Sequence, residues 1–400
     1  MKRILPAIVI SQFFCTSLWF AVNAIIGDIA RQFNVPPAFL AYLASAVQLG
    51  FIGGTLVFAV LSIVDRFSPV RVFFSCAIIA ALVNLAVSIG GVSINEVLFF
   101  RFLTGFFLAG IYPVGMKIAA DHYQQGLGRS LGFLVGALVL GTAFPHFLKS
   151  VMATLPWMYV VYATSLLSAA GGCAMLLLVP DGPYRRVGQK LKLNTFLKNF
   201  GHSKFRAAAF GYFGHMWELY AFWVFVPVML TAYNNHYPAA LLNVSLLSFL
   251  VIVAGSLSCV FSGIISQTFG AKQTATMALL ISGACCLASP LLLLCASPVA
   301  LIVFLFIWSM AVIADSPMFS TLVAQSATVE SKGTALTIVN CIGFAITIVS
   351  IQLINTLRNA DNARYIYLLL AAGPILGLIA LLGNKENHES VPRLSKKPEQ

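Results

Sequence analysis

Charge is what this sequence has least of: Asp, Glu, Lys and Arg together make up 9% of its 400 residues. Soluble globular proteins carry about 25%, so a water-facing surface is excluded for most of the chain. Signatures of catalysis and nucleotide use are also missing. No Gly-x-x-x-x-Gly-Lys-Ser/Thr loop occurs, and the nearest approach, Gly126-Leu-Gly-Arg-Ser130, lacks the lysine and a preceding strand. That argues against nucleotide-driven pumping by this chain. His-Glu-x-x-His and zinc-ligand spacings are absent, so neither an enzyme, a metal site nor a cofactor is expected. The cysteines (Cys15, Cys76, Cys173, Cys259, Cys285, Cys286, Cys295 and Cys341) lie scattered inside apolar segments and read as small core residues. The amino-terminal apolar run is too long for a cleavable signal peptide and is not followed by a small-residue cleavage site.

What is there is apolar. Hydrophobic residues make up 60% of the chain, with a mean hydropathy of +0.92. The net charge of +12 raises the question of nucleic acid. The bases, however, fall in short gaps between apolar runs, so lipid is the expected partner and nucleic acid is not. A bilayer core about 30 Å thick needs about 20 apolar residues in a helix. Twelve such runs are present, over 5–27, 39–64, 70–90, 97–120, 130–148, 157–179, 207–230, 241–265, 274–295, 299–322, 334–356 and 363–383. They predict an all-α polytopic membrane protein of twelve transmembrane helices in two six-helix bundles.

An even number of spans puts both termini on one side. With that side taken as cytoplasmic, nineteen of the 24 Lys and Arg residues fall in inner segments. Only Arg31, Lys149, Arg358 and Arg364 fall outside, and Arg101 lies within a span. This asymmetry follows the positive-inside rule and would vanish if the count were shifted by one helix. The longest gap, 180–206, holds seven bases against the single acid Asp181 and reads as a cytoplasmic linker held near anionic headgroups. The expected organisation is a first bundle over 1–179, the linker over 180–206, a second bundle over 207–383, and a disordered cytoplasmic tail over 384–400.

The two halves repeat each other. Asp65-Arg66-Phe67-Ser68-Pro69-Val70-Arg71 follows the second span, and Gln267-Thr268-Phe269-Gly270-Ala271-Lys272 follows the eighth, 202 residues on. Gly128-Arg129-Ser130-Leu131 and Lys332-Gly333-Thr334-Ala335 form a second pair. Duplicated six-helix halves are one of the architectures of secondary transporters. On these residues the chain resembles the major facilitator superfamily over about 1–383. Asp65-Arg66-Phe67 is similar to that family's loop motif, and Arg101-Phe-Leu-Thr-Gly105 to its Arg-x-x-x-Gly motif. Gly132, Gly136, Gly141 and Pro145 resemble its glycine-rich fifth helix of proton-driven exporters. Met216-Trp217-Glu218-Leu219-Tyr220 and Ala314-Asp315-Ser316-Pro317 resemble a bacterial subgroup to which no substrate attaches. Leu61 and Ser68 stand where the loop motif usually has other residues, Leu61 replacing a glycine, and Gln267 stands where the second half often keeps an acid. The resemblance therefore places the inner gate on the first copy, at Asp65, Arg66, Arg71 and Arg129.

Ionisable groups inside a membrane are costly and must face protein or water. Glu218 lies in the middle of the seventh span, and His215 three residues earlier and Phe222 four later share its helical face. Trp217, Tyr220 and Trp223 lie nearby. Glu218 is the first candidate for binding a proton or contacting solute in a central cavity; the alternative is a structural carboxyl bonded to His215 or to a neighbouring helix. Asp315 precedes Pro317, which kinks a helix; it reads as a second protonation or binding site, as a cap on the broken helix, or as part of the inner gate. Arg101 is tied by the resemblance to proton coupling or to anion binding, with an interior salt bridge or outward snorkelling as the alternatives. Asn23, His146 and Asn340 read as single polar groups that bond adjacent helices, with Asn23 placed beside the cavity. The Gly50-x-x-x-Gly54 and Gly132-x-x-x-Gly136 spacings read as close helix packing.

The functional expectation is a secondary active transporter that moves a small organic solute by alternating access, coupled to protons. It is expected as a monomer in a bacterial inner (plasma) membrane. An antiport exporter of drugs or metabolites, an uncoupled facilitator, and a receptor or scaffold that kept the fold are the competing expectations. Glu218, Asp315 and Arg101 together lean slightly towards cationic or neutral solutes.

Overall fold

The computed structural model describes residues 3–123, 127–185, 197–328, 331–359 and 361–383, without the side chains of 127–129. The tail over 384–400 and the middle of the linker lie outside the described residues. Helices and connecting turns make up the described chain, and no strand occurs among these residues. Among the described residues, eleven helices are long and apolar enough to cross a membrane. Spans 2 to 6 are Leu40–Val60, Pro69–Ala86, Ile94–Leu108 continued by Tyr112–His122, Leu127–Val151 and Met158–Leu178. Spans 7 to 11 are Ser203–His236, Val244–Phe269, Ala271–Leu293, Pro298–Ala314 continued by Ser316–Ser326, and Lys332–Leu357. Span 12 enters as a tight 3-10 turn, Ile366–Ala371, and continues as Ala372–Gly383.

Span 1 departs from the expected unbroken helix. Its α-helix covers Ile4–Thr16, 13 residues, or about 20 Å at 1.5 Å per residue, which is short of a bilayer core of about 30 Å. The chain then runs through tight turns before Asn23–Ile25 and the helix Ile26–Phe33. No glycine or proline lies between Ser17 and Val22, so no breaker in the sequence signals this. Local hydroxyls contribute: Thr16 Oγ1 donates to the Gln12 carbonyl at 2.8 Å, and Ser17 Oγ to the Phe14 carbonyl at 2.7 Å. Such back-bonding bends helices.

Packing follows the repeat. Spans 2 and 4 pack closely, as do 8 and 10; span 1 packs on 5 and 6, as span 7 does on 11 and 12. Spans 3 and 9 take matching places against 4 and 6, and against 10 and 12. The halves meet where span 2 packs on 11 and span 5 on 8, contacts that a two-fold relation exchanges. Spans 4 and 10 are interrupted at corresponding points, and the continuing helix carries proline in its first turn in both, Pro113 and Pro317. This is the parallel duplication that the loop repeats predicted.

The expected small-residue packing holds for one glycine pair and not for the other. A Cβ on Gly50 would lie 1.9 Å from the Phe102 carbonyl oxygen, one on Gly54 2.2 Å from that of Phe106, and one on Gly105 1.9 Å from that of Val47. Spans 2 and 4 thus meet backbone to backbone. Around Gly132 there is open space, and at Gly136 the nearest atom, the Ser256 carbonyl oxygen, is 3.5 Å away, so this pair does not lock helices together. Gly105→Ala is expected to cost about 1–3 kcal/mol by overpacking, and Gly132→Ala less than about 0.5 kcal/mol. Thermal unfolding of the two purified variants checks this; equal melting temperatures would refute the assignment.

Candidate functional site

Span 7 presents three faces, and the candidate residues divide among them. His215, Glu218 and Phe222, one turn apart, all face span 10. His215 Nδ1 lies 2.7 Å from Asp315 Oδ1, with both side chains 1% exposed or less. Glu218 Oε1 accepts from Trp308 Nε1 at 2.6 Å and from the Cys286 thiol of span 9 at 3.2 Å. The Phe222 ring packs on Trp308 at 4.7 Å between centroids. Glu218 Oε2 is buried without a hydrogen-bond partner. Asp315 stands at the junction of the two helices of span 10, where its side chain makes no capping bond; its carboxylate is directed to His215 instead. The helical register that grouped His215 with Glu218 in the sequence describes this face well. Trp308 and Cys286 were not singled out, because nothing local marks an indole or a thiol as the partner of an acid 90 or 68 residues away.

The second face belongs to span 12. Trp217 Nε1 donates to the Leu369 carbonyl at 2.9 Å, and Gly214 meets Gly373 so closely that a Cβ on Gly214 would lie 2.3 Å from the Gly373 carbonyl oxygen. Trp217 is therefore separate from the Glu218 group. The third face meets the other half of the molecule. Tyr220 stacks on Trp19 of span 1 with centroids 5.8 Å apart and packs on Trp223 and on Phe344 of span 11. Trp19 in turn packs on Phe51 of span 2, and Phe51 on Phe344 at 4.6 Å. An aromatic cluster thus bridges the halves, while the acids lie on another face of span 7. Trp217 and Tyr220, which lie near Glu218 in the sequence, thus meet partners other than those of Glu218 and Asp315.

Arg101 is fully buried inside the first half. Its helix begins at Ile94 behind a Ser93–Glu96 capping box, which places Arg101 about two turns in. Nη2 donates to the Leu18 carbonyl at 2.9 Å and to the Trp19 carbonyl at 2.6 Å; Nη1 donates to Asn84 Oδ1 at 3.1 Å. Asn84 Nδ2 donates onward to Thr164 and Ser165 of span 6. No acid forms an ion pair with Arg101 among the described residues. The guanidinium occupies the carbonyls freed where span 1 unwinds, and so fixes the backbone that carries Trp19. Asn23, beyond the break, is 3% exposed, and neither end of its amide has a hydrogen-bond partner. Asn340 accepts from the Tyr212 hydroxyl at 2.6 Å, the expected bond between adjacent helices.

The loop motif is arranged differently from the expected gate. Asp65 lies 3.5 Å from Lys117 at the end of span 4, and Lys117 lies 3.8 Å from Asp121. The start of the linker closes over this group. Arg185 donates to the Asp65 and Phe67 carbonyls at 3.1 and 2.7 Å and lies 3.6 Å from Asp181, which accepts from Ser68 Oγ. Arg66 and Arg71 are exposed and form no ion pair among the described residues; the side chain of Arg129 lies outside those residues. At the opposite end, Asp28 lies 2.7 Å from Lys149 and 2.6 Å from Arg31. Described hydrogen bonds between the halves are found toward this end: Gln48 with Thr347, Ser45 with Gln352 at 2.8 Å, and Ser150 with Asn243 at 3.4 Å.

Comparison with known proteins follows the same lines. The family model of the Major Facilitator Superfamily matches residues 8–351, and the chain belongs to that superfamily. No curated relative matches it in sequence. Its structure is similar to that of the human organic anion transporter MFSD10 (TETRAN), with a TM-score of 0.72, 14% identity, and 95% of this chain and 99% of that one covered. It is similar to a mutant of the nucleoside transporter NupG, with a TM-score of 0.73, 13% identity and the same coverage. A bacterial homologue of the human lysosomal transporter Spinster, inward-facing and unoccupied, gives 0.65 at 13% identity, with 95% of each chain covered. The chain is a multi-pass membrane transporter with the twelve-helix fold of this class.

Proposed function

We propose that this protein moves a small organic solute by alternating access, driven by protons, with the aromatic seam as solute site and the Glu218–His215–Asp315 group as proton carrier. The observation that carries the reading is the placement of three ionisable side chains, all within 1% of full burial, on one face of span 7 and at the interruption of span 10. Such groups are retained inside membrane proteins where they do work on ions or solute. Their position behind the helix that bears Tyr220 and Trp223 lets protonation alter how span 7 packs on span 10, and so how it meets the other half. The structural neighbours handle organic anions and nucleosides, solutes of the size this reading requires. The hydrogen bonds toward the Asp28 end hold the halves together there, leaving the Asp65 end as the side on which the seam opens.

In this proposal the protein is a monomer in a bacterial inner membrane, with both termini, the Asp65 loop and the basic linker on the cytoplasmic side. The boundaries 1–179, 180–206 and 207–383 separate the two moving bundles from their connection. Reconstituted protein is expected to accumulate its solute when a pH gradient is imposed and to lose that accumulation when the gradient is collapsed by a protonophore. Flux indifferent to the gradient would refute proton coupling, and failure to move any solute of a broad panel would refute transport.

A further inference from the structure

The seam between the halves is rich in unanswered donors. Trp19 Nε1, Trp223 Nε1 and Gln48 Nε2 are all buried and none has a hydrogen-bond acceptor. Buried polar groups without partners are uncommon and call for an explanation. Here they belong to one aromatic neighbourhood. Trp19 packs on Phe51, Tyr220 and Phe344, and Trp223 packs on Tyr220 and on Phe20. Gln48 lies one turn from Phe51 and bonds through its carbonyl oxygen to Thr347, itself one turn from Phe344. Two helices of each half contribute, so a solute held here touches every part that must move.

The buried charges around the seam differ in what holds them. The carboxylates buried in span 7 and span 10, Glu218 and Asp315, face each other's helices and are held by Trp308, Cys286 and His215. On the other side of Trp19, the unpaired Arg101 guanidinium bonds to the Trp19 backbone carbonyl. An aromatic seam that carries N–H donors, with an uncompensated cation behind it, is complementary to a flat anion once the halves part. The three orphan donors and this guanidinium favour an anionic head group, against the lean that the bare count of buried charges suggested.

We infer that the solute is a planar aromatic carboxylate, its ring stacked among Trp19, Tyr220 and Phe344 and its oxygens accepting from Trp19 Nε1, Trp223 Nε1 and Gln48 Nε2. This inference rests on the seam being the solute site of a transporter. The test is equilibrium binding of radiolabelled 2-naphthoate to the full-length protein in lipid nanodiscs, paired with flux of a broad solute panel in proteoliposomes. Saturable binding is expected, weakened about tenfold by Trp19→Phe and by Trp223→Phe, since each keeps an aromatic ring and removes one donor to a charged acceptor. Trp157→Phe, whose indole, just before span 6, bonds to Gln32 of the helix Ile26–Phe33, is expected to bind as the parent does. Cyclohexanecarboxylate should compete weakly and 2-naphthylmethylammonium not at all. If a tryptophan variant fails to fold, Gln48→Leu carries the same comparison and is expected to weaken binding likewise. Absence of saturable binding, equal binding by the donor-deleted variants, or equal competition by the ammonium compound would overturn the inference. Should the protein then still move another solute, only the substrate class falls; should it move nothing, the transporter reading falls with it.

Discussion

Glu218→Gln will leave a folded protein that no longer accumulates solute against its gradient. The replacement is nearly isosteric. Gln keeps an oxygen to accept from Trp308 Nε1 at the 2.6 Å position, and its amide nitrogen takes the place of Oε2, which has no partner to lose. The melting temperature should therefore stay close to that of the parent, or rise slightly as a buried ionisable group is removed. What is lost is the proton site. One pH unit is worth about 1.4 kcal/mol per proton, enough to hold about tenfold accumulation when one proton accompanies each solute. The variant is expected to equilibrate its solute under the same gradient, while counterflow exchange between labelled and unlabelled solute continues. Full pH-driven accumulation in the variant would remove Glu218 from the coupling mechanism, leaving His215 and Asp315 to be tested in its place.

Arg101→Met is expected to produce the largest loss of stability of any single change discussed. Three hydrogen bonds from a charged donor are removed, each worth about 1.5–3 kcal/mol, and the Leu18 and Trp19 carbonyls are left without that donor in the interior. Relief from burying a guanidinium returns several kcal/mol, so a net loss of about 3 kcal/mol is expected. Arg101→Lys should fare no better. An ammonium keeps the buried charge but lacks the planar fork that reaches both carbonyls and Asn84 together. Both variants should also lose solute flux, because the backbone carrying Trp19 is no longer fixed. Thermal unfolding of the purified variants is the measurement; an unchanged melting temperature for Arg101→Met would show that span 1 holds its break without this arginine.

The sequence by itself determined the membrane class, the number of spans, the duplicated halves and the face of span 7 that carries His215, Glu218 and Phe222. These properties are local. A run of about 20 apolar residues spans a bilayer whatever surrounds it, and residues three and four apart share a helix face in any helix. The break in span 1 was illegible because no residue between Ser17 and Val22 forbids a helix. It is matched by a guanidinium 82 residues on from Trp19 that takes up the freed carbonyl. The division of the candidate site was decided at the same level. Whether Glu218 faced Tyr220's partners or Trp308 depended on which helix packed against which face. Gln48 and Thr347, 299 residues apart in the chain, became neighbours only when the two halves met. The loop motif followed suit: the half-buried Asp65 carboxylate found Lys117, and its backbone carbonyl took Arg185 of the linker, because the packed helix ends bring these bases within reach.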